Sequence, residues 1–335
     1  MSAKRSAIVL LFFCGIMFSA MVAQAEDGVS FRAAAAFDTG SCPRSVAVCD
    51  LNGDGYEDLI VANYCADTVS ILLGNGDGTF QTKFDYGTGD GPDFVAIGDF
   101  NSDGDEDLVV ANSAGTVSIL LGNGDGTFAA KVDYGTGSGP WSVAVGDFNG
   151  DGDEDLAVTN FSSDTVSILL GNGDGTFAAK VDYGTGDGAY SVAIGDLDVD
   201  GDEDLVVANY SADTVSILLG NGDGTVQTKV DYGTGDGPHS VAVGDLNGDG
   251  DEDLAVGNAT DDTVSILLGN GDGTVQTKVD YGTGDEPHSV AVGDLNGDGY
   301  EDLIVANDSD NTVSILINTT DSDDSSGCFI TAGAH

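Results

Sequence analysis

The chain repeats itself at a fixed interval. "DLNGDGYEDL" at residue 50 returns as "DFNSDGDEDL" at 99, "DFNGDGDEDL" at 147, "DLDVDGDEDL" at 196, "DLNGDGDEDL" at 245 and "DLNGDGYEDL" at 294, with starts 48 or 49 residues apart. A period of that length means one supersecondary unit stacked on copies of itself, since a single unit cannot bury its own apolar face. The unit beginning at Ser142 holds four strand-favouring stretches: "SVAVG", "DLAVTN", "TVSILLG" and "TFAAKVDY". An acidic loop, a small variable loop and a "GNGDG" turn separate them. Short β-rich runs bounded by Gly, Asn and Asp predict antiparallel hairpins, and no segment keeps helical spacing over three turns. Four antiparallel strands per unit predict an all-β propeller blade. A parallel β-helix would need a shorter period and no tight hairpins.

The chain ends set the expected blade count. "FRAAAAFDTGSCPRSV", residues 31 to 46, aligns without a gap on "FAAKVDYGTGSGPWSV", residues 128 to 143, so the first unit is preceded by a spare fourth strand. The sixth unit stops after its third strand, "TVSILIN". The two defects are complementary. They predict a six-bladed β-propeller of four-stranded blades over residues 26–318, its last blade closed by the N-terminal strand, which leaves no open edge and suits a monomer.

Each acidic loop carries oxygen donors at positions 1, 3, 5 and 9, a glycine at position 6 and a backbone carbonyl at position 7, a pattern suited to a hard cation with six to eight oxygen ligands. The first copy offers Asp50, Asn52, Asp54 and Asp58, with Tyr56 at position 7. The second offers Asp99, Asn101, Asp103 and Asp107 with Asp105; the third Asp147, Asn149, Asp151 and Asp155 with Asp153. Asp196, Asp198, Asp200 and Asp204 with Asp202 form the fourth. The last two use Asp245, Asn247, Asp249 and Asp253 with Asp251, and Asp294, Asn296, Asp298 and Asp302 with Tyr300. Unscreened carboxylates packed this closely repel one another, so about six Ca²⁺ ions are expected. Position 12 is apolar, as at Val61, and the flanks are strands, which separates these loops from an EF-hand. The position 8 glutamates, Glu57, Glu106, Glu154, Glu203, Glu252 and Glu301, are expected to face solvent. The "GNGDGT" motif, first seen at Gly74, reads as a hairpin turn on the same face as the acidic loops.

Repeated "DLNGDGYEDLIVAN" followed by "TVSILLGNGDGTF" resembles the FG-GAP-like or VCBS repeats of secreted bacterial proteins, which are related to the integrin α propeller. The resemblance covers nearly all of the chain after its leader and implies calcium in the loops between the first and second strands of each blade. The chain differs from integrins in having six units and in lacking clear Phe-Gly and Gly-Ala-Pro elements.

Near-identical copies make their differences informative. Before the first strand the variable position holds Arg44, Asp93, Trp141, Tyr190, His239 and His288; between strands two and three it holds Tyr64, Ser113, Phe161, Tyr210, Ala259 and Asp308. Strand alternation puts both sets on the face opposite the acidic loops. Aromatics on loop tips over a rigid scaffold suit stacking on sugars or anchoring a protein, which makes Tyr64, Trp141, Phe161, Tyr190 and Tyr210 the candidate ligand-binding residues. Packing between blades is the competing role for them.

Residues 1–25 combine a basic start, an apolar run and an A-x-A ending at Ala25, the pattern of a cleavable secretory signal, with a retained anchor as the alternative. The net charge of −49 argues against nucleic acid and anionic membranes as partners. Four cysteines follow the leader, and pairing of Cys42 with Cys65 and of Cys49 with Cys328 is the favoured arrangement among three. Residues 319–335 read as a flexible tail. Lys83, Lys131, Lys180, Lys229 and Lys278 recur at one strand position, spread around the rim as edge protection rather than gathered at a site, and no nucleophile constellation is present. The chain is therefore expected not to be an enzyme. It reads as a secreted or cell-surface calcium propeller that adheres to or recognises a protein. A lectin is the alternative, and a polysaccharide-degrading enzyme stands third.

Overall fold

The computed structural model describes residues 35–319. The chain divides into two units, Met1–Phe37 and Asp38–His335. The signal reading, Cys328 and nearly all of the tail fall outside the described residues.

In the second unit the described residues form only strands, turns and loops, arranged as six antiparallel sheets that resemble propeller blades. In the first sheet β1 (Pro43–Cys49), β2 (Asp58–Asn63), β3 (Thr68–Leu72) and β4 (Phe84–Gly87) pair in sequence order. Residues 92–135, 140–184, 189–233 and 238–282 repeat that order, and residues 287–316 form a sixth sheet of three strands. The fourth strand is shorter than "TFAAKVDY" suggests: in the third sheet it is Val181–Gly184. Phe177 makes only an isolated bridge to Gly171 because its ring is drawn into the core, edge-on to Phe100 at 5.4 Å and to Tyr134 at 5.5 Å.

The inner strands of the first five sheets are buried on both faces, which explains why "DLVVAN" and "TVSIL" carry apolar residues at successive positions instead of alternating. Five apolar clusters fill the spaces between successive sheets. One of them joins Ile60 and Ile71 of the first sheet to Val95 and Leu108 of the second. Across each of the first five sheets runs a polar chain: in the first, Asn63 Nδ2 donates to Ser70 Oγ at 2.9 Å, Ser70 Oγ donates to Asp85 Oδ1 at 2.6 Å, and Lys83 pairs with Asp85. Each of the five recurrent lysines is held this way by the aspartate two residues on.

The sixth sheet faces the first across an unpacked seam. Val46 is 61% exposed whereas its counterpart Val143 is 4% exposed, and Val313 is 58% exposed against 0% for Val117. Val48, Ile315 and Leu295 are exposed there too. Residues 35–38, the counterpart of the strand 132–135, take no strand conformation, and residues 31–34 lie outside the described part.

Candidate recognition face and cation loops

Between the first and second strands of each sheet the acidic loop curls around its own carboxylates. Asp50 accepts the amides of Asp54 and Gly55 at 3.1 and 2.7 Å, Asn52 Oδ1 accepts that of Asp54 at 2.9 Å, and Asp54 Oδ1 accepts that of Tyr56 at 2.9 Å. Gly55 bends the chain at φ +85°, a region that costs a β-carbon-bearing residue. Asp58 is fully buried, with Oδ2 accepting the Leu51 amide at 3.1 Å and Oδ1 the Gly74 amide at 2.6 Å. The position 9 aspartate thus bolts the acidic loop to the start of the "GNGDG" turn; Asp107, Asp155, Asp204 and Asp253 repeat the contact, and Asp302 accepts the Asn318 amide where the sixth unit has no such turn. Burial, with the other loop carboxylates adding to it, pushes Asp107, Asp155 and Asp204 up to about 6 and Asp253 up to about 7. Position 7 side chains lie along the turn: a Cβ at Gly76 would fall 2.2 Å from the Tyr56 ring. The turn closes on itself, Asp77 Oδ1 accepting from the amide and hydroxyl of Thr79.

The fourth loop tests the fit to a cation. Asp196, Asp198 and Asp204 bring carboxylate oxygens within 4.8 Å of one another, and Asp198 Oδ1 is buried without a hydrogen-bond partner. Three hard oxygen donors, one of them unsatisfied, fit a divalent cation of the calcium type. In the other loops position 3 is Asn, except that the same backbone curl is kept.

The position 8 glutamates correct the expectation of solvent exposure. Glu57 and Glu106 are exposed, but Glu154, Glu203, Glu252 and Glu301 turn inward, each with a buried Oε2 that has no hydrogen-bond partner. Each reaches back over the preceding sheet, where a glycine ends the first strand. A Cβ at Gly98, Gly146, Gly195 or Gly244 would fall 1.9 to 2.1 Å from that oxygen. Burial raises the four carboxyls above the usual range. The exceptions follow. Cys49 occupies the glycine position of the first sheet, where Glu106 stays exposed, and nothing lies within 4 Å of a Cβ at Gly293. The Cys49 thiol is pushed up to about 12, first by burial and then by the Glu106 and Asp58 carboxylates. Among the described residues it is the free cysteine, while Cys42 and Cys65 form a disulfide that ties the start of β1 to the turn after β2.

On the opposite face the pairing register of the first two strands slips at the variable residue of every sheet. Such bulges re-aim a side chain. The six bulged residues, Arg44, Asp93, Trp141, Tyr190, His239 and His288, line one cavity of about 550 Å³ together with a series of serines. Arg44 Nη1 donates to Asp93 Oδ1 at 2.7 Å, and its guanidinium lies 4.0 Å over the Tyr64 ring. Rings then follow around the mouth, Trp141 to Tyr190 at 4.6 Å, Tyr190 to His239 at 3.8 Å and His239 to His288 at 3.8 Å. Phe161 and Tyr210 flank them, with centroids 6.0 and 5.9 Å from Tyr190. Burial, helped by His288, lowers His239 to about 3 and keeps it neutral. Burial outweighs the Arg44 charge at Asp93, which is pushed up to about 6.

The FG-GAP-like repeat pattern matches residues 50–110, 99–158, 147–207, 196–256 and 249–305. The chain belongs to the FG-GAP-like repeat family. Four of the five matched stretches of this FG-GAP-like protein start on the first aspartate of an acidic loop. No curated protein is similar enough in sequence to serve as a relative. Solved structures share its fold at low identity. One, titled as the basis of specific recognition of non-reducing terminal N-acetylglucosamine by an Agrocybe aegerita lectin, is 22% identical, with 85% of this chain and 79% of that chain covered and a TM-score of 0.58. A putative 6-phosphogluconolactonase from Bacteroides uniformis is 17% identical, covering 86% and 83%, at a TM-score of 0.65. A protein from Lactobacillus plantarum is 14% identical, covering 87% and 84%, at 0.66. These likenesses speak to the fold alone.

Of the five aromatic residues singled out in the sequence of this FG-GAP-like chain, Trp141, Phe161, Tyr190 and Tyr210 touch one another, and Tyr64 meets the group through Arg44. Tyr190 is only 9% exposed, so part of its role is packing. Selecting for aromatics missed Arg44, Asp93, His239 and His288. The signal was present, since they occupy the same variable position as Trp141.

Proposed function

We propose that this protein is a secreted, calcium-stabilised six-bladed propeller whose variable face recognises a partner, as an adhesion or protein-recognition module. One observation carries the reading: six sheets with nearly identical acidic loops on one face contribute bulged side chains of five different kinds to a single cavity on the other. Calcium in the loops would offset carboxylate repulsion and fix the scaffold, with affinity of the extracellular kind, about 10⁻⁴ to 10⁻³ M. Ring closure by residues near 31–38 would supply the missing strand of the sixth sheet and cover Val46, Val313 and Ile315. A lectin is the second reading, favoured by aromatic rings beside a charged pair and serine hydroxyls. Catalysis is not part of the proposal, because the lysines are tied to their own sheets.

Binding of the calcium-loaded protein to a glycan array and to cell-surface proteins tests the reading. A signal that falls at least tenfold for Trp141→Ala supports recognition at this face, and a signal indifferent to it contradicts that placement.

A further inference from the structure

The cavity holds an unanswered acceptor. Asp93 lines the cavity and is 6% exposed, its Oδ1 accepts a hydrogen bond from Arg44 Nη1 at 2.7 Å, and its Oδ2 is buried and has no hydrogen-bond partner. A buried carboxylate oxygen left unmatched is costly, and a ligand in the cavity that Asp93 lines could supply the donor. Beside it, Trp141 is partly exposed and forms a wall with Tyr190. Ser45, Ser191 and Ser240, which also line the cavity, accept hydrogen bonds from the Val95, Val241 and Val290 amides of the next sheet, and each retains a hydroxyl hydrogen to donate.

We propose that this cavity binds one uncharged sugar ring, with a ring hydroxyl donating to Asp93 Oδ2, a neighbouring hydroxyl accepting from Arg44 and the apolar ring face against Trp141. The inference rests on the second, lectin form of the recognition reading and deepens it. The Arg44–Asp93 pair already balances its own charge at the site. A cationic ligand would meet Arg44, and an anionic one would meet Asp93 on a chain of net charge −49. A neutral polyhydroxylated ring meets neither penalty and matches the alternation of polar edge and aromatic face. The volume, about 550 Å³, falls in the range of small-molecule sites, roughly 300–1,000 Å³.

Trp141 is the single tryptophan of the chain, so its fluorescence reports on this cavity alone. Calcium-loaded protein is titrated with methyl glycosides of neutral hexoses and N-acetylhexosamines, with methyl glucuronide, and with a lysine methyl ester. The expected result is a saturable change with at least one neutral glycoside, weakened at least tenfold by Asp93→Asn. Silence toward every neutral glycoside, an equal or stronger response to the charged probes, or indifference to Asp93→Asn overturns the proposal. Array binding that survives Asp93→Asn but is lost in Phe161→Ala or Tyr210→Ala also overturns it, while leaving recognition at this face intact. Should Asp93→Asn fail to fold, sugar-to-indole proton contacts measured by NMR on the unaltered protein decide: their presence at Trp141 supports the site and their absence removes it.

Discussion

At the scale of single residues, what looks like repetition hides a division of labour. Position 8 is always glutamate, yet its environment is set by the residue that ends the first strand of the preceding sheet. Gly146→Ala would place a Cβ 2.0 Å from Glu203 Oε2 and 2.9 Å from Ile194, an overpacking that should cost about 1–3 kcal/mol. Gly135→Ala, where nothing lies within 4 Å, should cost under about 0.5 kcal/mol. Denaturant melts of the two variants check this, and equal losses would contradict the inward placement of Glu203. Asp93 makes a pH-dependent prediction. Burial raises its folded value to about 6 from an ordinary 3.8, so the native state binds the proton more tightly than the unfolded chain. Its contribution to stability is whole below pH 3.8 and lost as pH rises through 6. Relative to the wild type, Asp93→Asn should therefore gain stability between pH 4 and pH 8, on the order of 1–2 kcal/mol. A difference constant across that range would refute the assignment. The aspartates, glycines and aromatics were legible in sequence because they are chemically distinctive. The inward glutamates were not, since their burial depends on a glycine one sheet away.

At the scale of elements, the repeat told where strands lie, because "DLAVTN" and "TVSILLG" must be strands to bury both faces. It overstated the fourth strand, where Phe177 leaves the ladder to fill the core with Phe100 and Tyr134. The bulge at each variable residue was not legible at all: it depends on pairing register, which a sequence pattern carries only indirectly. At the seam between the sixth and first sheets the sixth has three strands and leaves Val313 and Ile315 exposed. If residues near 31–38 close it, Val313→Asp should destabilise by about 2–4 kcal/mol, in the manner of Val117→Asp at a sealed position. A loss below about 0.5 kcal/mol, measured by urea unfolding, would instead match the exposed Val313 of the described structure.

At the scale of the whole molecule, 58 acidic residues against nine basic ones must be reconciled with a compact all-β body. The lysines neutralise one aspartate in each of the first five sheets, and the position 9 aspartates are buried, where they accept backbone amides. Divalent cations in the acidic loops, as proposed, would offset the excess, and ligands that bind only the folded state raise its stability by mass action. The direct test is the thermal midpoint of the intact protein with excess calcium and with a chelator. Several sites, each near a hundredfold above its dissociation constant and worth about 2.7 kcal/mol, should together raise the midpoint by about 10 °C or more. A midpoint that is the same in calcium and in chelator would show that these loops need no metal and would contradict the account.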